Sequence, residues 1–316
     1  MAMIGPMTHA TGMLIQPFLS RGVTLCIFSR YDPEAFLAEV QRLKITHAFM
    51  VPTMVNMLVT HPKIGSYDLS SLRSLSYGGA PISARNITAE WESLCPVLTQ
   101  GYGAAETTGG ITNFGVEDHQ FALKERPERL LTCGRAFGEA EVRVVNDQGK
   151  EVEGDDIGEI VVRGANVFAG YWNSPELTEE CLRNGWWHSG DLARVDEEGF
   201  IYIVDRKKDM IISGGFNIYT NEVEQALARH PDVNEVCVYG IPDEKWGESV
   251  RASVVKKPGS NLTDEVLISF CSSLLADFKK PRSIEFLQEL PKNQNGKIAR
   301  KVLRDRHWSA GERNVS

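Results

Sequence analysis

Short apolar runs alternate with amphipathic stretches along the first third of the chain. The runs have the length of buried strands and lie at 23–28, 46–51, 72–77 and 96–100. Helical spacing fills the gaps, with Asp32 as the N-cap of a helix that continues to Lys44, a second helix after Pro52 and a third over 83–94. Strands that alternate with helices in this way predict a parallel sheet.

The pattern changes over 142–204, where helical spacing is lost and short alternating strands follow one another. Turns that end in glycine separate these strands at 147–149 and 197–199. The stretch therefore predicts a small β-barrel or a twisted sheet, without helices.

Both kinds of pattern return together after Arg206. They predict helices at 221–229 and 264–277 and strands at 235–239, 249–256 and 283–287. The predicted fold class is α/β plus α+β, with one domain over 1–206 and a compact α+β domain over 207–316.

Charge and composition narrow the range of partners. The chain carries 34 basic and 42 acidic residues, and its formal net charge of −8 argues against nucleic acid as a main partner. Six cysteines are scattered singly, so neither a disulfide framework nor a zinc site is predicted. No apolar run reaches the roughly 18–20 residues of a membrane span, and no signal sequence is recognisable, so we expect a cytoplasmic protein.

Three pairs of glycines mark places where a ligand could approach the backbone. Gly78-Gly79 and the pair Gly101 and Gly103 follow directly after two predicted strands, where open α/β sheets form their ligand crevice. Gly214-Gly215 follows the charged segment 205–209. That segment is either a solvated linker or a joint beside a ligand-binding loop, and charge alone does not decide between them.

A resemblance to a known family rests on the segment 205–219, Asp-Arg-Lys-Lys-Asp-Met-Ile-Ile-Ser-Gly-Gly-Phe-Asn-Ile-Tyr, and on Glu222-Val223-Glu224. Together they resemble the hinge segment of the adenylate-forming superfamily, which includes acyl-CoA synthetases, luciferases and the adenylation domains of peptide synthetases. Further segments resemble, in the expected order, the acyl-pocket histidine motif, the adenine-binding turn, the tyrosine-glycine-x-threonine-glutamate motif, the ribose-binding aspartate motif and the catalytic-lysine motif: 6–9, 78–81, 101–106, 189–191 and 291–298.

The resemblance implies a function as an acid:CoA ligase. Residues 1–206 would be part of the large AMP-binding domain, and 207–316 would be its mobile C-terminal domain. A carboxylic acid, fatty or aryl, would attack the α-phosphate of ATP to give acyl-AMP and pyrophosphate, and CoA would then take the acyl group as a thioester. The implied cofactors are ATP, Mg²⁺ and CoA.

Two charged residues are implied to act in catalysis. Lys297, on a polar loop, would offset the negative charge that develops as a carboxylate attacks a phosphate. Without its motif it would be an ordinary surface lysine. Glu106 offers a hard oxygen to Mg²⁺ on the triphosphate, and helix capping is its plain alternative.

Nucleotide binding is implied for seven residues: Gly79, Ala80, Pro81, Gly101, Tyr102, Asp191 and Arg206. An ionised Asp191 only accepts hydrogen bonds and suits the two hydroxyls of ribose, whereas Arg206 offers a fork of donors. Tyr102 could stack on adenine. The local alternatives are a turn aspartate, a surface ion pair and a core tyrosine.

The remaining implied positions concern the acyl group, the thiol and the joint. His9 and Gly78 would line the acyl pocket, Gly214 and Gly215 the pantetheine channel, and Lys208 would be the residue whose backbone turns. His9 alone would be taken for a structural histidine.

The chain also departs from the family pattern. Ala105 replaces a threonine whose hydroxyl could bind phosphate, Asp205 replaces a commoner glycine and Thr220 a commoner proline. No glycine-rich phosphate loop is found, so we expect the chain to begin after that loop. Three readings besides a CoA ligase stay open: a protein that loads a carrier, an oxidising luciferase, and a non-catalytic fragment that binds AMP and CoA.

Overall fold

The computed structural model describes residues 1–79, 87–88, 94, 97–293 and 297–308. Contacts divide the chain into two units, Met1–Ser189 with Ala193–Ile203 and Gly190–Leu192 with Val204–Ser316. In the main chain this division falls between Ile203 and Val204. The predicted domain boundary after Arg206 stays a prediction.

The strands that begin in the first unit are β1 (Ala2–Met3), β2 (Cys26–Ile27), β3 (His47–Met50), β4 (Ser74–Tyr77), β5 (Leu98–Gln100), β6 (Gly103–Ala104), β7 (Gly109–Gly110), β8 (Thr112–Asn113), β9 (Arg135–Ala136), β10 (Glu141–Val145), β11 (Gly158–Arg163), β12 (Leu182–Arg183), β13 (Trp186–Val195) and β14 (Ile201–Arg206). Its helices are α1 (Ala10–Met13), α2 (Ile15–Leu19), α3 (Pro33–Leu43), α4 (Pro52–Val59), α5 (Val116–Glu125) and α6 (Pro175–Cys181).

The predicted parallel sheet is confirmed, with the strand order β2-β1-β3-β4-β5. Tyr77 lies opposite Met50 on one side and Gln100 on the other, so the loops after β3, β4 and β5 leave from the same edge. Asp32 caps α3 as predicted, because its carboxylate accepts a hydrogen bond from the Ala35 N–H at 2.8 Å. The predicted helix over 83–94 lies outside the described residues, except for 87–88 and 94.

The stretch after 140 forms a second sheet, ordered β10-β11-β13-β12 with β14 paired to β13. The two predicted alternatives are a small β-barrel and a twisted sheet, and this open strand order corresponds to the sheet. The prediction that helices are missing here is wrong, since α6 lies within the stretch. Pro175 at its first turn signals the start, but seven residues are too few to show helical spacing in the sequence.

The second unit contains β15 (Ile211–Ser213), β16 (Phe216–Ile218), β17 (Val233–Asp243), β18 (Gly247–Lys256), β19 (Ser283–Leu287), α7 (Thr220–Ala228), α8 (Asp264–Cys271) and α9 (Arg300–Arg304). Its sheet has the order β16-β15-β18-β17, with β19 parallel to β18. Helix α8 ends at Cys271, six residues before the predicted end at 277, where the hydroxyls of Ser272 and Ser273 bond back to the helix carbonyls of Ile268 and Phe270.

Each unit has a core of its own. In the first, α3 and the parallel sheet share a cluster that includes the fully buried Phe36, Leu75 and Tyr77. In the second, α7 and the sheet bury Val223, Val238 and Val254. Across the described part of the chain, the helices are too short or too polar to cross a membrane.

Candidate active site

The predicted turns of the first unit meet at the carboxyl edge of its parallel sheet. A Cβ on Gly78 would lie 2.9 Å from the carbonyl oxygen of Gly101, and a Cβ on Gly101 would lie 2.7 Å from that of Thr112. Gly79 has a φ of +80°, which disfavours other residues. Side chains at these positions would push the loops after β4 and β5 apart. Ala80 and Pro81 lie outside the described residues.

Tyr102 is fixed through its backbone. Its N–H donates to Thr112 Oγ1 at 2.9 Å, and its carbonyl accepts from the Ile111 N–H at 2.8 Å. The side chain is half-buried and packs beside the core of the second sheet. The packing agrees with the core interpretation of this tyrosine, and stacking on adenine stays a prediction.

Glu106 lies in a short 3₁₀ turn, Ala105–Thr107. The Tyr171 hydroxyl donates to its Oε1 at 2.7 Å, and its backbone carbonyl accepts from the Phe168 N–H at 2.8 Å. Burial, and then the Glu106 carboxylate, raise the pKa of Tyr171, so this phenol stays a donor. The carboxylate is thereby held in one orientation.

The residues that hold Glu106 were not predicted. Asn166 donates from Nδ2 to the Thr107 carbonyl at 3.0 Å, and the Thr108 hydroxyl donates to the Asn166 carbonyl at 2.7 Å. The sequence offers only the aromatic pair Tyr171-Trp172 after Gly170 as a signal for this segment, and the structure shows Trp172 to be 91% exposed.

A buried polar network beneath the Gly78 turn was also missed. His119 lies in α5, and its Nε2 is 2.9 Å from the Tyr77 hydroxyl while its Nδ1 is 2.7 Å from the Gly115 carbonyl. Burial lowers the pKa of His119 to about 4. A neutral ring that donates from Nδ1 to the Gly115 carbonyl has Nε2 as an acceptor facing the Tyr77 hydroxyl, whose single proton also faces Gln100 Oε1 at 3.1 Å.

His9 has an exposed side chain and is the N-cap of α1. The Thr8 hydroxyl lies 3.0 Å from its Nδ1. Helix α1 reaches the turn that follows Glu106, since a Cβ on Gly109 would lie 3.6 Å from Met13 Cε. The helix that His9 begins is thus next to the Glu106 segment.

In the second unit, Asp191 and Arg206 form an ion pair. Arg206 Nε lies 3.4 Å from Asp191 Oδ1, with the aspartate side chain 16% exposed and the arginine 58% exposed. The Lys207 N–H donates to the Gly190 carbonyl at 2.8 Å and fixes the two segments side by side. These two predicted nucleotide-binding residues are therefore neighbours.

The carbonyl of Lys208 accepts a long hydrogen bond of 3.5 Å from Arg304 Nη1. Its side chain is exposed. The preceding Asp205 is buried, and burial raises the pKa of its carboxyl group, although the charge of Arg300 opposes this. The predicted joint, Lys208, thus lies three residues after a buried anchor.

Gly214 and Gly215 form the turn between β15 and β16, with φ values of +59° and +82°. A Cβ on Gly214 would lie 2.6 Å from Trp246 Cε3, and the Gly214 N–H donates to the Trp246 carbonyl at 2.8 Å. A Cβ on Gly215 would meet no described atom within 4 Å. Gly214 therefore packs on a tryptophan, whereas Gly215 faces open space.

Lys297 is fixed through its backbone to Asn293. Its N–H donates to Asn293 Oδ1 at 3.0 Å, and its carbonyl accepts from the Asn293 N–H at 2.8 Å. Partial desolvation, and then the positive charge of Arg206, lower the pKa of the Lys297 amine. The side chain is exposed and close enough to Arg206 to feel its charge.

Comparison with known proteins places these residues in a family. Residues 1–172 match the family model for AMP-binding enzymes, and residues 222–297 match that of the AMP-binding enzyme C-terminal domain. A feruloyl-CoA synthase of Amycolatopsis sp is 41% identical over 303 residues, which are 95% of this chain and 60% of the relative. The medium/long-chain-fatty-acid–CoA ligase FadD8 of Mycobacterium tuberculosis is 36% identical over 320 residues, 99% of this chain and 55% of the relative.

A solved structure agrees with these matches. The O-succinylbenzoate coenzyme A synthetase MenE of Bacillus subtilis, in complex with ATP and magnesium ion, has a TM-score of 0.84 and 30% identity, covering 95% of this chain and 60% of that protein. The chain thus spans about 55–60% of the length of these three proteins. On the two family-model matches, this chain belongs to the family of AMP-binding enzymes.

Proposed function

We propose that this chain works as an acid:CoA ligase, which activates a carboxylic acid as acyl-AMP and passes the acyl group to CoA. The observation that carries the proposal is the cluster of Asp191, Arg206 and Lys297 in the second unit. It combines a carboxylate, which accepts from ribose hydroxyls, with two cations for a phosphate. The names of the relatives, feruloyl-CoA synthase and fatty-acid–CoA ligase, agree with this chemistry.

In the first step, an oxygen of the substrate carboxylate attacks the α-phosphorus of ATP, and pyrophosphate leaves. Negative charge builds up on the α-phosphate oxygens as the new bond forms. The Lys297 ammonium is assigned to donate to these oxygens and to the attacking carboxylate. Asp191 is assigned to bind the ribose. Its ion pair with Arg206 orients the Asp191 carboxylate.

The adenine and the acid are assigned to the first unit. Gly79, Ala80 and Pro81 are assigned to the base edge, while Gly101 would leave room for the base and Tyr102 would cover its face. His9 and Gly78 would line the acyl pocket. The tight contact between Gly78 and Gly101 supports this assignment, since it keeps side chains out of the crevice.

Glu106 is assigned to Mg²⁺. Its carboxylate is half-buried, Oε1 accepts from the Tyr171 hydroxyl, and Oε2 is assigned to the cation. No group of three or more metal-ligating side chains occurs in the described ranges, and one carboxylate fits a magnesium ion that keeps waters and phosphate oxygens as its other ligands. The ion would neutralise charge on the departing pyrophosphate.

In the second step, the thiol of CoA attacks the acyl carbon of acyl-AMP, and AMP leaves. Gly214 and Gly215 would admit the pantetheine arm. Around them lies a set of exposed aromatic and cationic side chains: Phe216, Trp246, Phe278, Lys245 and Arg282. Lys279, beside Phe278, is half-buried and paired with Glu222 at 2.7 Å. Such a surface suits the adenine and phosphates of CoA, which supports CoA over a carrier protein as the acceptor.

The two steps need different neighbours for the same acyl-AMP. Adenylation uses Lys297, and thioester formation uses the glycine turn, so we assign Lys208 as the joint about which the second unit turns between the steps. The buried Asp205 before it supplies a fixed side for the turn. Arg206 would stay on the ribose.

The acid is assigned to the fatty or aryl class, on the strength of the two relatives' names. The test is a panel of fatty and cinnamic acids, with ATP–pyrophosphate exchange and CoA-thioester formation measured separately. It is run on the 316-residue chain and on a fusion in which the phosphate-loop region of a feruloyl-CoA synthase precedes residue 1. This fusion is called the restored enzyme.

A CoA ligase predicts acid-dependent exchange in the restored enzyme and thioester formation that needs CoA. Exchange followed by transfer only to a phosphopantetheinyl carrier protein would reassign the acceptor. Binding of AMP and CoA without exchange by the restored enzyme would overturn the proposal and leave a nucleotide-binding protein.

A further inference from the structure

Arg300, the first residue of α9, bridges two carboxylates. Its Nη1 lies 2.8 Å from Asp209 Oδ2, and its Nη2 lies 2.8 Å from Glu224 Oε1. The three side chains are only 19%, 13% and 19% exposed, respectively. The carboxylates outweigh the burial of Arg300 and raise its pKa, so the guanidinium stays charged, whereas burial raises the pKa of the Glu224 carboxyl group against the opposing charge of Arg300.

One end of this bridge belongs to the joint. Asp209 directly follows Lys208, and its N–H donates to the Arg206 carbonyl at 2.9 Å. Arg304, one turn further along α9, adds a contact of 3.7 Å to Asp209 Oδ1 and reaches the Lys208 carbonyl. The other end, Glu224, lies in α7 and also accepts from the Val238 N–H, so it belongs to the core of the unit.

Lys297 is attached to the same arginine through a short stem, which we call the lysine hairpin (residues 291–293 and 297–299). The Ala299 N–H donates to the Pro291 carbonyl at 2.7 Å, and Lys292 and Ile298 form an antiparallel β-bridge. Asn293 forms hydrogen bonds with both the N–H and the carbonyl of Lys297. Arg300 is the next residue after this stem. A displacement of Arg300 is therefore transmitted to the backbone of Lys297.

We propose that Arg300 is a positioning residue, which joins the lysine hairpin to the joint through Asp209 so that Lys297 follows the turn at Lys208 as part of one body. The inference rests on the proposed function for the roles of Lys297 and Lys208. The Asp209 arm of the bridge fixes the Lys297 amine near Arg206. The Glu224 arm anchors the helix to the core.

The plain alternative is that the bridge only stabilises the fold. Asp209→Asn separates the two, since it removes the charge of one arm and leaves Arg300 paired with Glu224. Glu235→Gln is the matched control, because it breaks an ion pair of 2.7 Å with Lys292 on the same hairpin without touching Arg300.

The readout is the pKa of the Lys297 amine in the 316-residue chain. Trace labelling with acetic anhydride over roughly pH 7–11 brackets the ordinary lysine pKa, and peptide mass spectrometry follows each lysine. In the unsubstituted chain we expect Lys297 to label at a lower pH than the exposed Lys150. In Asp209→Asn, release of the hairpin should raise its midpoint toward that of Lys150.

The sign of the shift is diagnostic. Loss of a negative charge by itself would lower the pKa of a nearby lysine, so a rise can come only from movement of Lys297 away from Arg206 or into water. Glu235→Gln should leave the midpoint unchanged. An unchanged or lowered midpoint in Asp209→Asn, with a lower unfolding midpoint in urea, would overturn the proposal and leave a structural bridge.

A second arm uses the restored enzyme. Asp209→Asn should lower kcat of adenylation by roughly tenfold or more, with KM for ATP and thioester formation from supplied acyl-AMP little changed, since a misplaced donor affects mainly the transition state. Equal losses in both half-reactions would overturn it. Absence of adenylation in the unsubstituted restored enzyme would instead count against the proposed function, while the labelling result still decides the role of Arg300.

Discussion

Thr220 donates two hydrogen bonds to the buried carboxylate of Asp205, one from its backbone N–H to Oδ2 and one from its hydroxyl to Oδ1 at 3.1 Å. The pair ties the strand before the joint to the start of α7. In the sequence, both residues stood out as departures from glycine and proline. The two departures depend on each other. A proline at position 220 would lack the N–H that donates to Asp205, and a glycine at position 205 would lack the carboxylate that accepts it.

Thr220→Val tests this pair. The substitution keeps the shape and the N–H but removes the hydroxyl, and we expect the second unit to lose about 1.5–3 kcal/mol of unfolding free energy, the usual worth of a hydrogen bond to a charged group. Native-state hydrogen exchange of the α7 amides measures it within the unit. Thr60→Val is the control, since the exposed Thr60 hydroxyl bonds only a carbonyl of its own helix. Equal effects of the two substitutions would show that the Thr220 hydroxyl does not stabilise the unit through Asp205.

The buried His119 predicts a pH dependence of stability in the first unit. Its pKa falls from the ordinary 6.5 to about 4 on folding, so the unfolded chain binds the proton first. The folded state therefore loses stability as the pH falls from about 6.5 to about 4, by up to roughly 3 kcal/mol from this one residue.

His119→Gln should remove that part of the pH dependence. Urea unfolding at about pH 7 and about pH 4.5 is compared between the two proteins, with His9→Gln as a control at an exposed site of the same unit. A pH dependence that is the same in His119→Gln and in the unsubstituted chain would show that the network does not hold a neutral histidine.

Local signals in the sequence predicted much of the fold. Asp32 and Pro33 marked the start of α3 because a cap and a proline act within one turn, and strand β19 is correct at both ends, 283 and 287. The missed features depend on contacts between distant residues. Tyr171 and Glu106 are 65 positions apart, and Tyr77 and His119 are 42 apart, so no pattern along the chain could pair them.

Asp191→Ala should weaken AMP binding to the 316-residue chain by about 1.5–3 kcal/mol, because the two ribose hydroxyls lose their charged acceptor. Titration calorimetry with AMP measures the change. Asp155→Ala is the control, since Asp155 is fully exposed and pairs only at 3.9 Å with Arg194. An affinity unaltered by the loss of Asp191 would make it a structural turn residue.

Lys208→Pro should separate the two half-reactions of the restored enzyme. Proline fixes φ near −65° and stiffens the joint, so adenylation should survive while thioester formation from supplied acyl-AMP collapses. Lys208→Ala removes the exposed side chain but does not restrict φ, and it should change both half-reactions little. If alanine and proline reduce thioester formation alike, the side chain matters and the joint lies elsewhere.

In the proposed mechanism, Lys297 drives adenylation and plays no part in thioester formation. The most direct measurement is Lys297→Ala in the restored enzyme, with ATP–pyrophosphate exchange and thioester formation from supplied acyl-AMP assayed side by side. Lys292→Ala, on the same hairpin, is the control. We predict that exchange falls by about 10²–10³-fold, the effect of removing one preorganised transition-state donor, while thioester formation is kept. Equal losses in both half-reactions, or full exchange without Lys297, would contradict the account.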